Sequence, residues 1–156
     1  MKILIGAKAP EFTLYNSEKE KISLLNFRGR KVLILFFPLA FTGTCTRELC
    51  NIRDNITLYN DLNTEVLGIS VDSLYALARY KEDQHINFNL LSDFNKEVSA
   101  SYGSLYEIFD FEMKGVGKRS AFVVDAEGMI LYTEVLENAR EIPDFNKIQH
   151  ALRSLV

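Results

Sequence analysis

The stretch Val32-Leu33-Ile34-Leu35-Phe36-Phe37, followed at once by Pro38-Leu39-Ala40-Phe41-Thr42-Gly43-Thr44-Cys45-Thr46-Arg47-Glu48-Leu49-Cys50, decides how this chain is read. A continuous apolar run of strand-favouring residues, with no polar alternation, is the pattern of a strand buried on both faces. Beyond the second segment Leu49, Ile52, Ile56 and Tyr59 recur at steps of three and four, which is one face of a helix. A strand that passes through a Pro, Thr, Gly loop into a helix sets Cys45 near the helix's first turn. There the unpaired backbone N–H groups and the positive end of the helix dipole favour an anion, a thiolate included. Both cysteines of the chain fall within this one segment.

Working outward, the helix is expected to run to about Asn60-Asp61, and Glu65–Val71 returns as a second strand, completing a βαβ unit. Asp72-Ser73 can cap a further helix reaching His85, Phe88 to Leu91 reads as a short strand, and Lys96 to Tyr102 as a brief helix closed by Gly103. Residues 104–118 show no period, only Tyr106, Phe109, Phe111 and two glycines, and are expected to be a long loop of the kind that serves function. Ser120–Val124 and Met129–Val135 form a hairpin turning at Gly128, and Phe145, Ile148 and Leu152 give a terminal helix its apolar side. Upstream, Glu11–Leu14 and Lys21–Leu24 with the polar tip Asn16–Glu20 make a small hairpin, and Gly29 turns the chain into the central strand. The order implies an α/β protein, a mixed central β-sheet flanked by helices with an N-terminal hairpin extension, in one domain spanning 1–156. In such sheets ligands bind beyond the carboxyl ends of parallel strands, and Cys45 lies just past such an end.

At 156 residues, 47% hydrophobic and 25% charged, the chain can bury a sizeable core without staples. A net charge of −3 offers no basic field for nucleic acid, and the longest apolar run is too short to span a bilayer. The start, with Lys8 soon after Met1–Gly6, is too brief for the core of a secretory signal. The expectation is a soluble cytoplasmic protein in a reducing compartment, where two nearby cysteines are catalytic more often than structural. His85 and His150 have no carboxylate or cysteine neighbours at ligand spacing, so neither metal nor cofactor is expected.

The spacing Pro-x-x-x-Thr-x-x-Cys at Pro38, Thr42 and Cys45 resembles the active-site motif of the peroxiredoxins, thiol peroxidases of thioredoxin-like fold. Pro38–Cys45 looks most like the AhpE class, whereas a second cysteine five residues on, Cys50, is similar to the PrxQ class, also called the bacterioferritin-comigratory-protein type. Ala9-Pro10-Glu11-Phe12, Leu90–Asp93 and Arg119–Asp125 have counterparts in that family in the same order, so the likeness spans nearly the whole chain. The resemblance implies that Cys45 is the peroxidatic residue, that Arg119 is its cationic partner, and that hydrogen peroxide and organic hydroperoxides are substrates. It further implies recycling by thioredoxin or a glutaredoxin-like dithiol, and a homodimer that pairs near Phe41, Phe109 and Phe111.

The chemistry suits those residue types. A thiol of ordinary pKa is only about 3% thiolate at pH 7, and the thiolate is the nucleophile, so a reactive cysteine needs groups that favour the anion. A guanidinium supplies charge and a rigid fork for oxygen atoms. Arg47 lies nearer in sequence, but two residues along a helix turn it about 200° from Cys45. Thr42 offers a hydroxyl to a peroxide, and Pro38 shields the thiolate from water. Cys50 is the natural resolving thiol, yet five residues of intact helix hold the two Cα atoms about 8.6 Å apart, beyond disulfide reach, so bridging requires unwinding. Asp93 and Glu48 read either as acceptors behind the site or as capping and surface charges. Taken alone Cys45 would be a small core residue, Cys50 a packing residue and Arg119 a surface cation. Two other functions fit a reactive cysteine: a noncatalytic redox sensor or binding module, and a thiol–disulfide oxidoreductase, against which the missing Cys-x-x-Cys argues.

Overall fold

The computed structural model of the chain describes residues 2–154. Among them the elements follow as β1 (Thr13–Asn16), β2 (Lys21–Ser23), β3 (Lys31–Phe36), α1 (Gly43–Asp54), α2 (Ile56–Asp61), β4 (Thr64–Ser70), α3 (Leu74–Gln84), β5 (Asn89–Ser92), α4 (Glu97–Ser101), β6 (Ser120–Val124), β7 (Ile130–Val135) and α5 (Phe145–Arg153). The strands form one sheet in the order β2-β1-β5-β4-β3-β6-β7. β3, β4 and β5 run parallel and the remaining pairs antiparallel, the mixed α/β architecture expected of a thioredoxin-like fold.

Every residue of β3 is buried, and its two faces meet different layers. Leu33, Leu35 and Phe37 pack with Leu49 and Ile52 of α1, Tyr59 of α2, Leu77 of α3 and Ile148 of α5. Val32, Ile34 and Phe36 pack with Phe12 and Leu24 of the N-terminal segment and with Val98 and Tyr102 at α4. Cover on both sides is why the strand reads as an uninterrupted apolar run. Lys31 is the polar exception, and its Nζ donates to the carbonyl of Leu152 at 2.8 Å.

The structure departs from the sequence expectation at the helix after Cys45 and adds detail to the N-terminal hairpin and the long loop. The helix after Cys45 does not continue unbroken to Asp61. Asn55 interrupts it at φ −116° and ψ 18°, its side-chain amide bonded to the Asn51 carbonyl at 2.8 Å and its N–H to Ile52 at 3.1 Å. A side chain that competes for helical carbonyls favours such a break. The apolar period carries on because α2 resumes on the same side of the sheet, with Tyr59 buried. The N-terminal hairpin flanks the sheet as expected, and β1 pairs with β5 so that the hairpin forms the sheet's edge. The long loop folds back on itself, with bridges Leu105↔Gly117 and Phe109↔Met113, and turns at Phe111 and Glu112 with φ of 58° and 62°.

Candidate active site

The antiparallel register of β3 and β6 sets Ser120 opposite Phe36, so the residue before β6, Arg119, arrives where β3 gives way to the loop before α1. That register brings together residues more than seventy positions apart. Pro38 is buried in the loop. The loop is fastened to the end of β4, where Asp72 Oδ2 accepts from the Ala40 N–H at 2.8 Å and from Ser70 Oγ at 2.7 Å. Phe41 then takes a left-handed conformation at φ 68°, and Thr42 is the N-cap residue of α1.

Thr42 does not cap with its side chain. Its hydroxyl donates to the carbonyl of Leu39 at 2.8 Å, which leaves the oxygen's lone pairs free to accept. Thr46 N–H to the Thr42 carbonyl, at 3.0 Å, is the first bond of the helix, so the N–H groups of Gly43, Thr44 and Cys45 precede the bonded ladder. Cys45 is fully buried, and Arg119 Nη2 donates to its Sγ at 3.3 Å. The other arm, Nη1, donates to Glu48 Oε1 at 2.7 Å, and Nε to the carbonyl of Ala139 at 2.8 Å. Three separate acceptors thus fix the guanidinium plane, and an ion pair with both partners buried gives it one orientation.

Burial pushes the Glu48 carboxyl up to about 7 against the pull of Arg119, with Glu134 adding to the rise. Glu48 Oε2 has no hydrogen-bond partner. For Arg119 burial acts downward, but Glu48 and Cys45 outweigh it and hold the guanidinium above its ordinary value. It is a cation throughout the physiological range.

A cleft of about 440 Å³ opens onto this group, between Thr42, Gly43 and Thr44 on one side and Tyr106, Phe109 and Arg119 on the other. Tyr106 and Phe109 stack at 5.8 Å, and the Tyr106 hydroxyl donates to the Leu136 carbonyl at 2.8 Å. Ile108 and Phe111 are exposed at the rim. A small polar molecule reaching Cys45 would meet the guanidinium, the Thr42 oxygen and the helix N–H groups.

Of the residues singled out in the sequence, Cys45, Arg119 and Thr42 therefore converge, and Pro38 is buried in the loop between β3 and α1. Cys50 does not join them. It sits further along α1, half-buried, and its Sγ donates to Gln84 Oε1 at 3.7 Å. With α1 continuous across both cysteines, helix dimensions keep their Cα atoms about 8.6 Å apart. Arg47 is exposed and donates to the Arg140 carbonyl at 3.4 Å. Asp93 caps α4 by accepting from the N–H groups of Val98 and Ser99 and from Ser99 Oγ. Glu48 is neither a cap nor a surface charge but the carboxylate behind Arg119. Sequence reasoning missed Asp72 as the anchor of the loop. Its position after β4, at the same sheet end as the loop, was the available signal.

The chain is similar to known proteins in sequence and in fold. Residues 5–133 match the model of the AhpC/TSA family. The bcp protein of Coxiella burnetii, which carries a peroxiredoxin name, is 39% identical over 131 residues, covering 83% of this chain and 87% of its own. A Mycobacterium tuberculosis protein likewise named as a peroxiredoxin is 38% identical over 131 residues, 83% of either chain. Among solved structures, peroxidoxin BcpB of Mycobacterium tuberculosis superposes with a TM-score of 0.87 at 24% identity, covering 99% of both chains.

Proposed function

We propose, for a chain that belongs to the AhpC/TSA family and is a peroxiredoxin, a thiol peroxidase, that Cys45 is its peroxidatic residue and that Arg119, Thr42 and Pro38 complete the site. The observation that carries this reading is the 3.3 Å contact between Arg119 Nη2 and Cys45 Sγ at the N-terminus of α1. The Cys45 thiolate attacks one peroxide oxygen, an S–O bond forms and the O–O bond breaks. The second oxygen leaves carrying the electron pair and takes a proton to become water or an alcohol. Arg119 and the N–H groups at the helix start are fixed before the reaction begins, so they stabilise the departing oxygen without reorganising. Thr42 Oγ1, committed as a donor to Leu39, accepts the peroxide's proton and so orients it.

Cys45 is left as a sulfenic acid, which condenses with the Cys50 thiol to a disulfide and water. A thioredoxin or glutaredoxin-like dithiol then reduces that disulfide by exchange. The protein acts in the cytoplasm in this reading, and no helix among the described residues is long and apolar enough to cross a membrane. Two copies pair over the exposed rings of Phe41, on the loop before α1, and Phe111, at the cleft rim. Sedimentation showing only monomer at high micromolar concentration rejects that pairing.

The test is steady-state peroxide consumption with a thioredoxin system. Sustained turnover that disappears in a folded Cys45→Ser variant is expected, because a serine hydroxyl stays protonated at pH 7. A single stoichiometric oxidation points instead to a redox sensor, and appreciable turnover by Cys45→Ser removes Cys45 from the role.

A further inference from the structure

Thr46, Cys50 and Arg53 follow one another on α1 at steps of four and three, the spacing of a single helix face. Each meets α3. The Thr46 and Tyr80 hydroxyls lie 2.8 Å apart, Cys50 Sγ donates to Gln84 Oε1 at 3.7 Å, and Arg53 Nη1 donates to the Gln84 carbonyl at 2.6 Å. Tyr80 and Gln84 are themselves four apart on α3. The two helices are therefore joined by three polar rungs, and the rungs run along the segment that carries both cysteines. Burial pushes the Tyr80 phenol up to about 12, so its hydroxyl keeps its proton.

We propose that this ladder is a latch on the resolving step: Tyr80 and Gln84 are positioning residues that keep Cys45–Cys50 helical and so set how long the Cys45 sulfenic acid waits for Cys50. The inference rests on Cys50 being the resolving thiol. While α1 is intact the two sulfurs cannot meet, so unwinding must break the Thr46–Tyr80 and Cys50–Gln84 rungs, the second of which uses the resolving thiol's own proton. Two fates compete during the wait. In one, the Cys50 thiolate attacks the Cys45 sulfenic sulfur, the S–O bond breaks, and hydroxide leaves as water after taking the thiol's proton. In the other, the sulfenate attacks an oxygen of a second peroxide, the O–O bond breaks, and sulfinic acid forms with release of water or alcohol. The first fate needs no further oxidant, because the sulfenic sulfur is reduced as the Cys50 thiol is oxidised, whereas the second consumes another peroxide. At a given peroxide concentration, ladder strength therefore decides the partition between a recyclable disulfide and an over-oxidised enzyme.

The experiment compares full-length wild type with Tyr80→Phe, which keeps the ring and deletes one rung, and Gln84→Met, which keeps the length and deletes the acceptor. After rapid mixing with hydrogen peroxide, quenched samples are resolved by mass spectrometry into sulfenic, disulfide and sulfinic forms. Loss of the Cys45 thiol should proceed at the wild-type rate in both. Disulfide formation should be roughly five-fold faster, about what one hydrogen bond of ordinary net strength is worth. Sulfinic acid in excess peroxide should fall accordingly, and amide exchange of the reduced protein should quicken between Thr44 and Asn51. A merely structural loss would lower the unfolding midpoint without moving this partition. Wild-type disulfide rates and sulfinic yields in both folded variants overturn the latch alone. Absence of any Cys45–Cys50 disulfide in wild type overturns the resolving role of Cys50, and the latch with it.

Discussion

Arg119 grips two buried groups of one helix with the two arms of its guanidinium: Nη2 lies 3.3 Å from Cys45 Sγ and Nη1 lies 2.7 Å from Glu48 Oε1. Because Cys45 and Glu48 are three residues apart on α1, they face β6 together, and the fork spans both. Arg119→Ala should slow Cys45 oxidation on the order of 10²-fold or more, the scale on which one preorganised donor at a developing oxyanion matters. It should also destabilise the fold by about 1–3 kcal/mol, since the Glu48 carboxyl is left buried without its hydrogen-bond partner. Arg119→Lys should recover part of the stability but little of the rate, because a point charge cannot serve Cys45, Glu48 and the Ala139 carbonyl at once. Stopped-flow oxidation and urea unfolding of the three proteins separate the two effects. A wild-type rate in folded Arg119→Ala would transfer the role to the helix N–H groups alone.

The Thr42 hydroxyl is committed as a donor to Leu39, so what it offers a substrate is an acceptor. Thr42→Val keeps the shape, deletes that oxygen, and should lower kcat/KM for peroxide on the order of 10²-fold with little change in unfolding midpoint. Thr42→Ser should retain most of the activity. Equal losses in the serine and valine variants would mean that the methyl group matters rather than the oxygen.

Much of this arrangement is legible in the sequence alone, and the reason is local. An apolar run, a Pro-Thr-Gly loop and a helical period determine β3, the loop and α1 within thirty residues, and they place Cys45 at a helix start without reference to the rest of the chain. Arg119 was reachable only through family resemblance, because its proximity arises from the β3–β6 register, a long-range pairing that no window of sequence contains. The same holds for Glu48, whose burial depends on β6 delivering a cation to it. The break at Asn55 was hidden for the opposite reason. The apolar spacing continues across it, and a single side-chain bond to the Asn51 carbonyl decides the backbone.

Cys50 stands on a continuous helix, too far from Cys45 for a disulfide. Peroxide treatment should therefore yield an intramolecular Cys45–Cys50 link together with loss of amide protection between about Thr44 and Asn55. Cys50→Ser should abolish both changes, react once with peroxide, and pass on to sulfinic acid more readily than wild type, since no internal thiol traps the sulfenic acid. Mass spectrometry and hydrogen exchange on the same samples decide the matter. A disulfide without lost protection would mean that the first turns of α1 were not helical in solution. With no disulfide at all, an external thiol must resolve Cys45.

Glu48 gives the site a pH dependence whose direction follows from burial. Its carboxyl is pushed up to about 7, chiefly by burial and against Arg119, from an ordinary value of 4.5. An acid that holds its proton more tightly when folded favours folding wherever that proton is bound. The contribution is complete below about 4.5 and is lost as pH rises through about 7. At ~1.4 kcal/mol per unit the gap corresponds to a ceiling of roughly 3–4 kcal/mol. Glu48→Gln retains an oxygen for Arg119 Nη1 but cannot ionise, so it lacks this pH dependence. The unfolding free energy of wild type minus that of Glu48→Gln should therefore fall as pH is raised from 4.5 to 7.5, and level off above that. The subtraction removes the other titrating groups, which both proteins share. A difference that stays flat over the whole range would show that Arg119 outweighs burial and that the carboxylate is ionised throughout. A rise in place of the fall would show that the ion pair lowers the pKa below 4.5, and Glu48 would then stabilise the folded enzyme at neutral pH.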